Sequence, residues 1–243
     1  MHPILLQFHG ITFYSYGFAV AVAMIVSLIL AERRAWRFGL EKNTVADLLF
    51  ALFIFGVLGA RAMFVWQHWD DYTGDRWGIF RIQEGGLVWY GGLFGAMLFG
   101  MIYALWRKWP VLKLCDFFAP IAALAHGIGR LGCFFNGCCY GKRTESFLGV
   151  HFPEDAYAKI PIQLYEALGL FIISAFLFSY SQKPRRPGNV LWVYLVLYAA
   201  LRFFIEFFRG DNAHYLLFTL PQWMSLGLLA PALVLLTLQK NRQ

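Results

Sequence analysis

H-G-I-G-R-L-G-C-F-F-N-G-C-C-Y-G-K-R-T, residues 126–144, decides how the chain is read. It is rich in glycine and holds His126, Arg130, Asn136, Lys142, Arg143 and three of the four cysteines, between flanks that are mostly lipid-soluble. Glycine is a poor helix former and leaves peptide groups accessible. Irregular backbone at membrane depth survives only where protein or a wet cavity satisfies its polar groups. The stretch is therefore expected to be non-helical and to be the working site.

Its surroundings follow from composition. Of 243 residues 59% are hydrophobic, 19% aromatic and 14% charged, and the mean hydropathy is +0.54. A soluble domain carries closer to a quarter charged residues, so this chain reads as an all-α, polytopic membrane helical bundle. A spanning helix needs ~20 apolar residues, and seven candidates occur at about 11–31, 48–66, 87–106, 114–129, 162–180, 190–208 and 223–238. The fourth is short and is expected to end inside the membrane at the glycine-rich stretch. The first has no basic region before it and no small-residue cleavage site after it, so it reads as a retained span. The absence of a long linker or internal repeat favours a single domain over residues 1–243.

Basic residues orient the spans. With the N-terminus outside, twelve fall inside: Arg33, Arg34, Arg37, Lys42, Arg107, Lys108, Lys113, Lys183, Arg185, Arg186, Lys240 and Arg242. Seven fall outside, namely Arg76, Arg81, Arg130, Lys142, Arg143, Lys159 and Arg209, the first two beside Asp70, Asp71, Asp75 and Glu84. The bias predicts an outside N-terminus and a cytoplasmic C-terminus. The bases lie in short clusters rather than an extended arm, which argues against nucleic acid despite the net charge of +7. Outer bases concentrated at the glycine-rich stretch point to an anionic ligand.

Ionisable residues within spans usually face a cavity or partner and mark function. Arg61, Arg202 and Glu206 are of this kind. Arg202 and Glu206 are four apart and can pair on one helical face, whereas Arg61 must find an anionic head group or a carboxylate elsewhere. Asp116 reads as a structural partner or helix cap. Tyr16, Tyr90 and Tyr198 suit an interfacial belt, and Gly56, Ala60, Gly91 and Gly95 suit close helix packing. His126 reads either as a base, with a pKa near ~6.5 matched to that task, or as a hydrogen-bonded core histidine. The C-x4-C-C spacing of Cys133, Cys138 and Cys139 does not match the usual zinc pairs, so no metal and no cofactor is expected. A disulfide, a nucleophilic thiol beside Arg130 and Lys142, or simply small residues remain open.

The run G-R-L-G-C-F-F-N-G-C-C-Y-G-K-R-T, residues 129–144, resembles the signature of the prolipoprotein diacylglyceryl transferases, approximately G-R-x-G-N-F-x-N-G-E-x-x-G-x-x-T. Further similar segments occur in order: Y-G at Tyr16, G-A-R ending at Arg61, Y-G-G-L-F-G from Tyr90, D-F-F-A-P from Asp116, P-I-Q-L-Y-E from Pro161, R-F-F-I-E-F-F-R-G-D from Arg202 and Q-W-M-S-L from Gln222.

The resemblance implies an enzyme of the bacterial inner membrane with its site toward the outer leaflet. Such an enzyme transfers the diacylglyceryl group of phosphatidylglycerol to the lipobox cysteine thiol of a prolipoprotein signal peptide, forming a thioether and releasing glycerol phosphate. By motif, Arg130 and Arg202 become the phosphate clamp, a task suited to arginine's fixed fork of donors. Asn136 and Gly141 shape the signature loop, Glu206 orients Arg202 or holds the peptide, and Tyr16, Tyr198 and Arg61 join the lipid site. The chain departs from the pattern at Tyr90, where many members have a histidine that is a candidate base, and at Cys133 and Cys138, which replace Asn and Glu. Tyr90 and His126 are the candidate bases here. A transporter is a second reading, weakened by the lack of an inverted repeat. A metal- or redox-linked membrane protein using His126 and the cysteines is a third.

Overall fold

The computed structural model describes residues 3–8, 11–82, 85–152, 156–210, 214–215 and 217–240. Glu84 of the acidic loop, Asp211 of the R-F-F-I-E-F-F-R-G-D segment and Arg242 among the C-terminal bases lie outside these residues. The architecture is nearly all helical: α1 (Ser15–Ala35), α2 (Lys42–Gln67), α3 (Trp89–Trp106), α4 (Val111–Asn136), α5 (Ile162–Tyr180), α6 (Asn189–Glu206) and α7 (Leu220–Lys240). Each contributes a segment long and apolar enough to cross a membrane. Large apolar side chains such as Phe94, Met97, Ile102 and Leu105 on α3 are exposed, as expected of a surface whose solvent is lipid.

Two small antiparallel hairpins accompany the helices. The strand β1 (Ile4–Phe8) pairs with β2 (Ile11–Tyr14), and β3 (His214–Tyr215) with β4 (Phe218–Thr219). The first hairpin takes residues 11–14 from the predicted first span. Its β-branched and aromatic residues favour a strand, and α1 starts only at Ser15, whose N–H donates to the Pro3 carbonyl at 2.9 Å.

The chain forms two compact units, one of residues 31–114 and one of residues 1–30 with 115–243. In the first, α2 packs on α3 with almost no separation. A Cβ added at Gly59 would lie 2.4 Å from the Gly91 carbonyl oxygen and 2.9 Å from the Gly95 Cα. Gly91 and Gly95 are packing residues as predicted, but the tightest neighbours are the carbonyl oxygen of Gly59 for Gly91 and that of Phe55 for Gly95, and Gly56 stands at an ordinary 3.6 Å from the Gly92 oxygen.

In the second unit Ala119 and Ala123 of α4, Ile173 and Leu177 of α5 and Val190 of α6 form a buried cluster. Ser174 of α5 donates to the Pro120 carbonyl of α4 at 2.7 Å. Asp116 of α4 caps α6 across the chain, its two carboxylate oxygens accepting from the backbone N–H groups of Gly188 at 2.7 Å and Leu191 at 2.8 Å. The first turn of a helix leaves such donors without intrahelical partners, so this carboxylate fixes α6 against α4.

The helix α4 corrects one expectation. It spans 26 residues and runs through Asn136, so the first half of the glycine-rich stretch is helical and only the part from Gly137 onward is a loop. Glycine costs ~1 kcal/mol against alanine in a helix, but here its small size is used. A Cβ at Gly127 would meet the Phe171 ring of α5 at 2.5 Å, and one at Gly132 would meet the Ala19 Cβ of α1 at 2.7 Å. Close packing on two neighbours outweighs helix propensity.

Candidate active site

The continuous α4 gives the site its axis. His126, Arg130 and Cys133 are spaced four and three apart, so they share one helical face. From α6, Tyr194, Tyr198, Arg202 and Glu206 are each four apart and form a second stripe. The His126 and Tyr198 rings lie 5.5 Å apart, and Tyr198 stacks on Tyr194 at 5.9 Å. Both Arg130 and Arg202 lie within electrostatic reach of His126, and Arg130 within reach of Tyr198. On α1, Tyr16 interacts with Arg130 and with Cys133, Cys138 and Cys139.

Each arginine faces a carboxylate. Arg130 Nη2 lies 3.0 Å from Glu166 Oε1 of α5, and His126 Nε2 lies 4.0 Å from the same oxygen. Arg202 Nη2 lies 2.8 Å from Glu206 Oε2, the pairing open to an i, i+4 couple. Glu206 also accepts from the Thr219 hydroxyl at 3.1 Å. Both carboxylates are buried. The guanidiniums are not exhausted by these pairs: among the described residues, Arg130 Nε and Arg202 Nη1 are buried without a hydrogen-bond acceptor. A buried donor without a partner costs ~1–3 kcal/mol, and two such donors on neighbouring cations suit an anion.

Past Asn136 the chain turns sharply. Gly137 (φ 74°) and Cys139 (φ 63°) both adopt the left-handed region, and the buried Gln163 donates to the Cys138 carbonyl at 2.6 Å. The Asn136 side chain reaches the Cys138 thiol. Gly141 N–H then donates to the Ile160 carbonyl at 2.8 Å and Lys142 N–H to the Phe208 carbonyl at 2.9 Å. Glycine is required at 141, because a Cβ there would stand 2.6 Å from the Phe208 oxygen. This loop lines a cavity of about 660 Å³ whose wall carries Lys142, Arg143 and Lys159 and, among the described residues, no carboxylate. The sulfurs of Cys133, Cys138 and Cys139 all lie within 4.8 Å of one another. Hydrogen bonds from the Cys133 and Cys138 thiols, and then the charges of Arg130 and Arg209, hold the Cys139 thiol below its ordinary range.

Tyr16, His126, Arg130, Tyr198, Arg202 and Glu206 thus converge, with Asn136 at the end of α4 and Gly141 in the adjoining loop. Arg61 and Tyr90 belong to the unit of residues 31–114. Tyr90 is exposed in the first turn of α3. Arg61 is buried, and its partners are backbone carbonyls: Nε donates to Ile79 at 2.8 Å, Nη1 to Gly85 at 2.8 Å and Gly86 at 3.2 Å, and Nη2 to Gly78 at 2.6 Å. Sequence reasoning passed over Glu166 and Gln163. The signal was present, since Glu166 is an ionisable residue near the start of an apolar span and meets the same criterion that singled out Arg61 and Arg202.

The sequence model of the family described as prolipoprotein diacylglyceryl transferase matches residues 3–238. Among curated proteins, the chain is 32% identical over 246 residues to phosphatidylglycerol--prolipoprotein diacylglyceryl transferase 2 of Clostridium perfringens, covering 99% of this chain and 96% of the relative. It is 34% identical over 230 residues to the phosphatidylglycerol--prolipoprotein diacylglyceryl transferase of Photobacterium profundum, covering 93% and 86%. The protein of that same name in Clostridium tetani is 32% identical over 216 residues, covering 87% and 86%.

Proposed function

The chain belongs to the prolipoprotein diacylglyceryl transferase family, and from that premise we propose that it transfers the diacylglyceryl group of phosphatidylglycerol to a prolipoprotein thiol. This is the first step of lipoprotein maturation. The observation that carries the residue assignment is the pair of buried arginine donors, Arg130 Nε and Arg202 Nη1, without acceptors among the described residues.

The chemistry uses them directly. The acceptor sulfur forms a bond to the terminal glyceryl carbon while that carbon's bond to the phosphate oxygen breaks, and glycerol phosphate departs with the electron pair. Negative charge grows on the phosphate, and donors already fixed in a water-poor site stabilise it without reorganising. Arg130 and Arg202 hold the phosphate; Glu166 and Glu206 keep the two guanidiniums in place. Tyr16 and Tyr198 flank the lipid, and Asn136 and Gly141 set the loop whose cations extend the anionic site. Arg61 ties down the backbone at Gly78, Ile79, Gly85 and Gly86 within its own unit. His126 and the water of the adjoining cavity are assigned to the acceptor's proton.

The acceptor is the lipobox cysteine of a signal peptide, and the enzyme is a multi-pass protein of the bacterial inner membrane. Its site faces the outer leaflet, with the N-terminus outside, as the basic residues support. Purified protein incubated with phosphatidylglycerol and a lipobox peptide is expected to yield peptide heavier by one diacylglyceryl group, with glycerol phosphate in equal amount. A peptide with serine in place of cysteine is expected to give none. Absence of the thioether from the cysteine peptide would overturn the assignment.

A further inference from the structure

Cys133, Cys138 and Cys139 stand where the reaction just described has no use for them, and they are built together. Cys133 is on the last turns of α4, while the other two follow a chain reversal made by two left-handed residues, Gly137 and Cys139. A left-handed backbone is unfavourable for a residue with a Cβ, and here it brings Cys139 to the other two thiols. The reversal is anchored from behind by Gln163 Nε2 on the Cys138 carbonyl at 2.6 Å and by Cys138 N–H on the Cys133 carbonyl at 3.1 Å. All three sulfurs lie within 4.8 Å of one another. Tetrahedral zinc with Zn–S bonds of ~2.3 Å puts its sulfurs about 3.8 Å apart, so the three thiols need only close by about an ångström or less. Spacing along the chain hid this set, because the usual pairs of cysteines are replaced by one cysteine on a helix and two on a turn.

We propose that Cys133, Cys138 and Cys139 bind one Zn²⁺ as three thiolates, with a fourth position open to the adjoining cavity, and that the acceptor thiol of the substrate takes that position. Soft thiolate ligands select such an ion, and three protein ligands with one open position is the arrangement of catalytic rather than structural zinc. The role rests on the transferase reading; the site does not. A thiol that coordinates a metal ion is deprotonated, and its proton leaves to the water of the cavity. The sulfur's electron pair then forms the bond to the glyceryl carbon, the phosphate oxygen leaves with the pair of the broken C–O bond, and the resulting thioether, a weaker ligand, dissociates. No other reactant is needed.

The test uses the full chain in detergent, reduced, loaded with Zn²⁺ or Co²⁺ and freed of excess metal. One ion per chain is expected, with sulfur-to-cobalt charge transfer and tetrahedral d–d bands. Cys133→Ser, Cys138→Ser and Cys139→Ser are each expected to lose the ion at least tenfold more readily, and Cys115→Ser to behave as wild type. Zinc is expected to shield the three thiols of unaltered protein from alkylation while leaving Cys115 labelling unchanged, which guards against misfolded variants. A lipobox cysteine peptide is expected to shift the cobalt bands, and its serine analogue to leave them unchanged. Failure to load, retention of the ion by the serine variants, a disulfide among the three in place of metal, or bands indifferent to the peptide thiol would each overturn the proposal. If the ion binds and responds to the peptide but no thioether forms with phosphatidylglycerol, the transferase reading has failed and the metal site stands.

Discussion

Glu166 on α5 places its carboxylate 3.0 Å from the guanidinium of Arg130 on α4, and the Glu166 side chain is only 1% exposed. The pair joins the proposed phosphate clamp to the helix behind it, and the His126 ring faces the same oxygen at 4.0 Å. Removing one partner of a buried pair leaves an uncompensated charge, at a cost of ~3–5 kcal/mol. Glu166→Ala is therefore expected to lower stability by about that amount in denaturant titration. Glu166→Gln, which retains an acceptor for the guanidinium, is expected to fold better yet lose activity, because Arg130 is no longer held in register. Equal activity of Glu166→Gln and wild type would show that the carboxylate charge has no part in positioning.

Gly141→Ala tests the loop. The added Cβ would meet the Phe208 backbone oxygen at 2.6 Å and the Ile162 Cγ2 at 2.8 Å, and a backbone atom cannot rotate away. Displacing the loop by an ångström is expected to cut turnover on the order of 100-fold, with helical circular dichroism unchanged.

Arg61→Lys tests the tie between α2 and the loop after it. Lysine has a single ammonium in place of a planar fork and cannot reach Gly78, Ile79, Gly85 and Gly86 together. Faster proteolysis within residues 76–86 is expected, together with a loss of stability of ~1.5–3 kcal/mol. Protection equal to wild type would contradict the latch.

Asp116→Ala removes the acceptor for the Gly188 and Leu191 N–H groups. Loss of a cap costs ~1–2 kcal/mol, so thermal denaturation is expected at a lower temperature with transfer activity retained at temperatures where the fold holds. A loss of activity without a loss of stability would give Asp116 a role beyond capping.

Much of this was legible in the sequence because apolar runs of spanning length are a one-dimensional signal, and so are charges within them. Asp116 was readable as a cap or structural partner, and Arg202 with Glu206 as an i, i+4 couple. What escaped depends on neighbours distant in sequence. Glycine at 127 and 132 argued against a helix until Phe171, Ala19 and Tyr16 supplied the reason for small residues there. Arg61 looked for an acid or a head group, yet backbone carbonyls of a loop 17 or more residues away satisfy it. Glu166 and Gln163 lie inside the P-I-Q-L-Y-E segment with no role legible there, since their partners, Arg130 and the Cys138 carbonyl, are brought to them only by the packing of α5 against α4.

The central claim is that Arg130 stabilises the departing phosphate. Its most direct test is single-turnover transfer from phosphatidylglycerol to a saturating lipobox peptide, comparing wild type with Arg130→Ala reconstituted in the same lipid. The expected result is a fall in the rate of thioether formation on the order of 100-fold or more, with peptide binding unchanged. Thioether formation by Arg130→Ala at the wild-type rate would contradict the account.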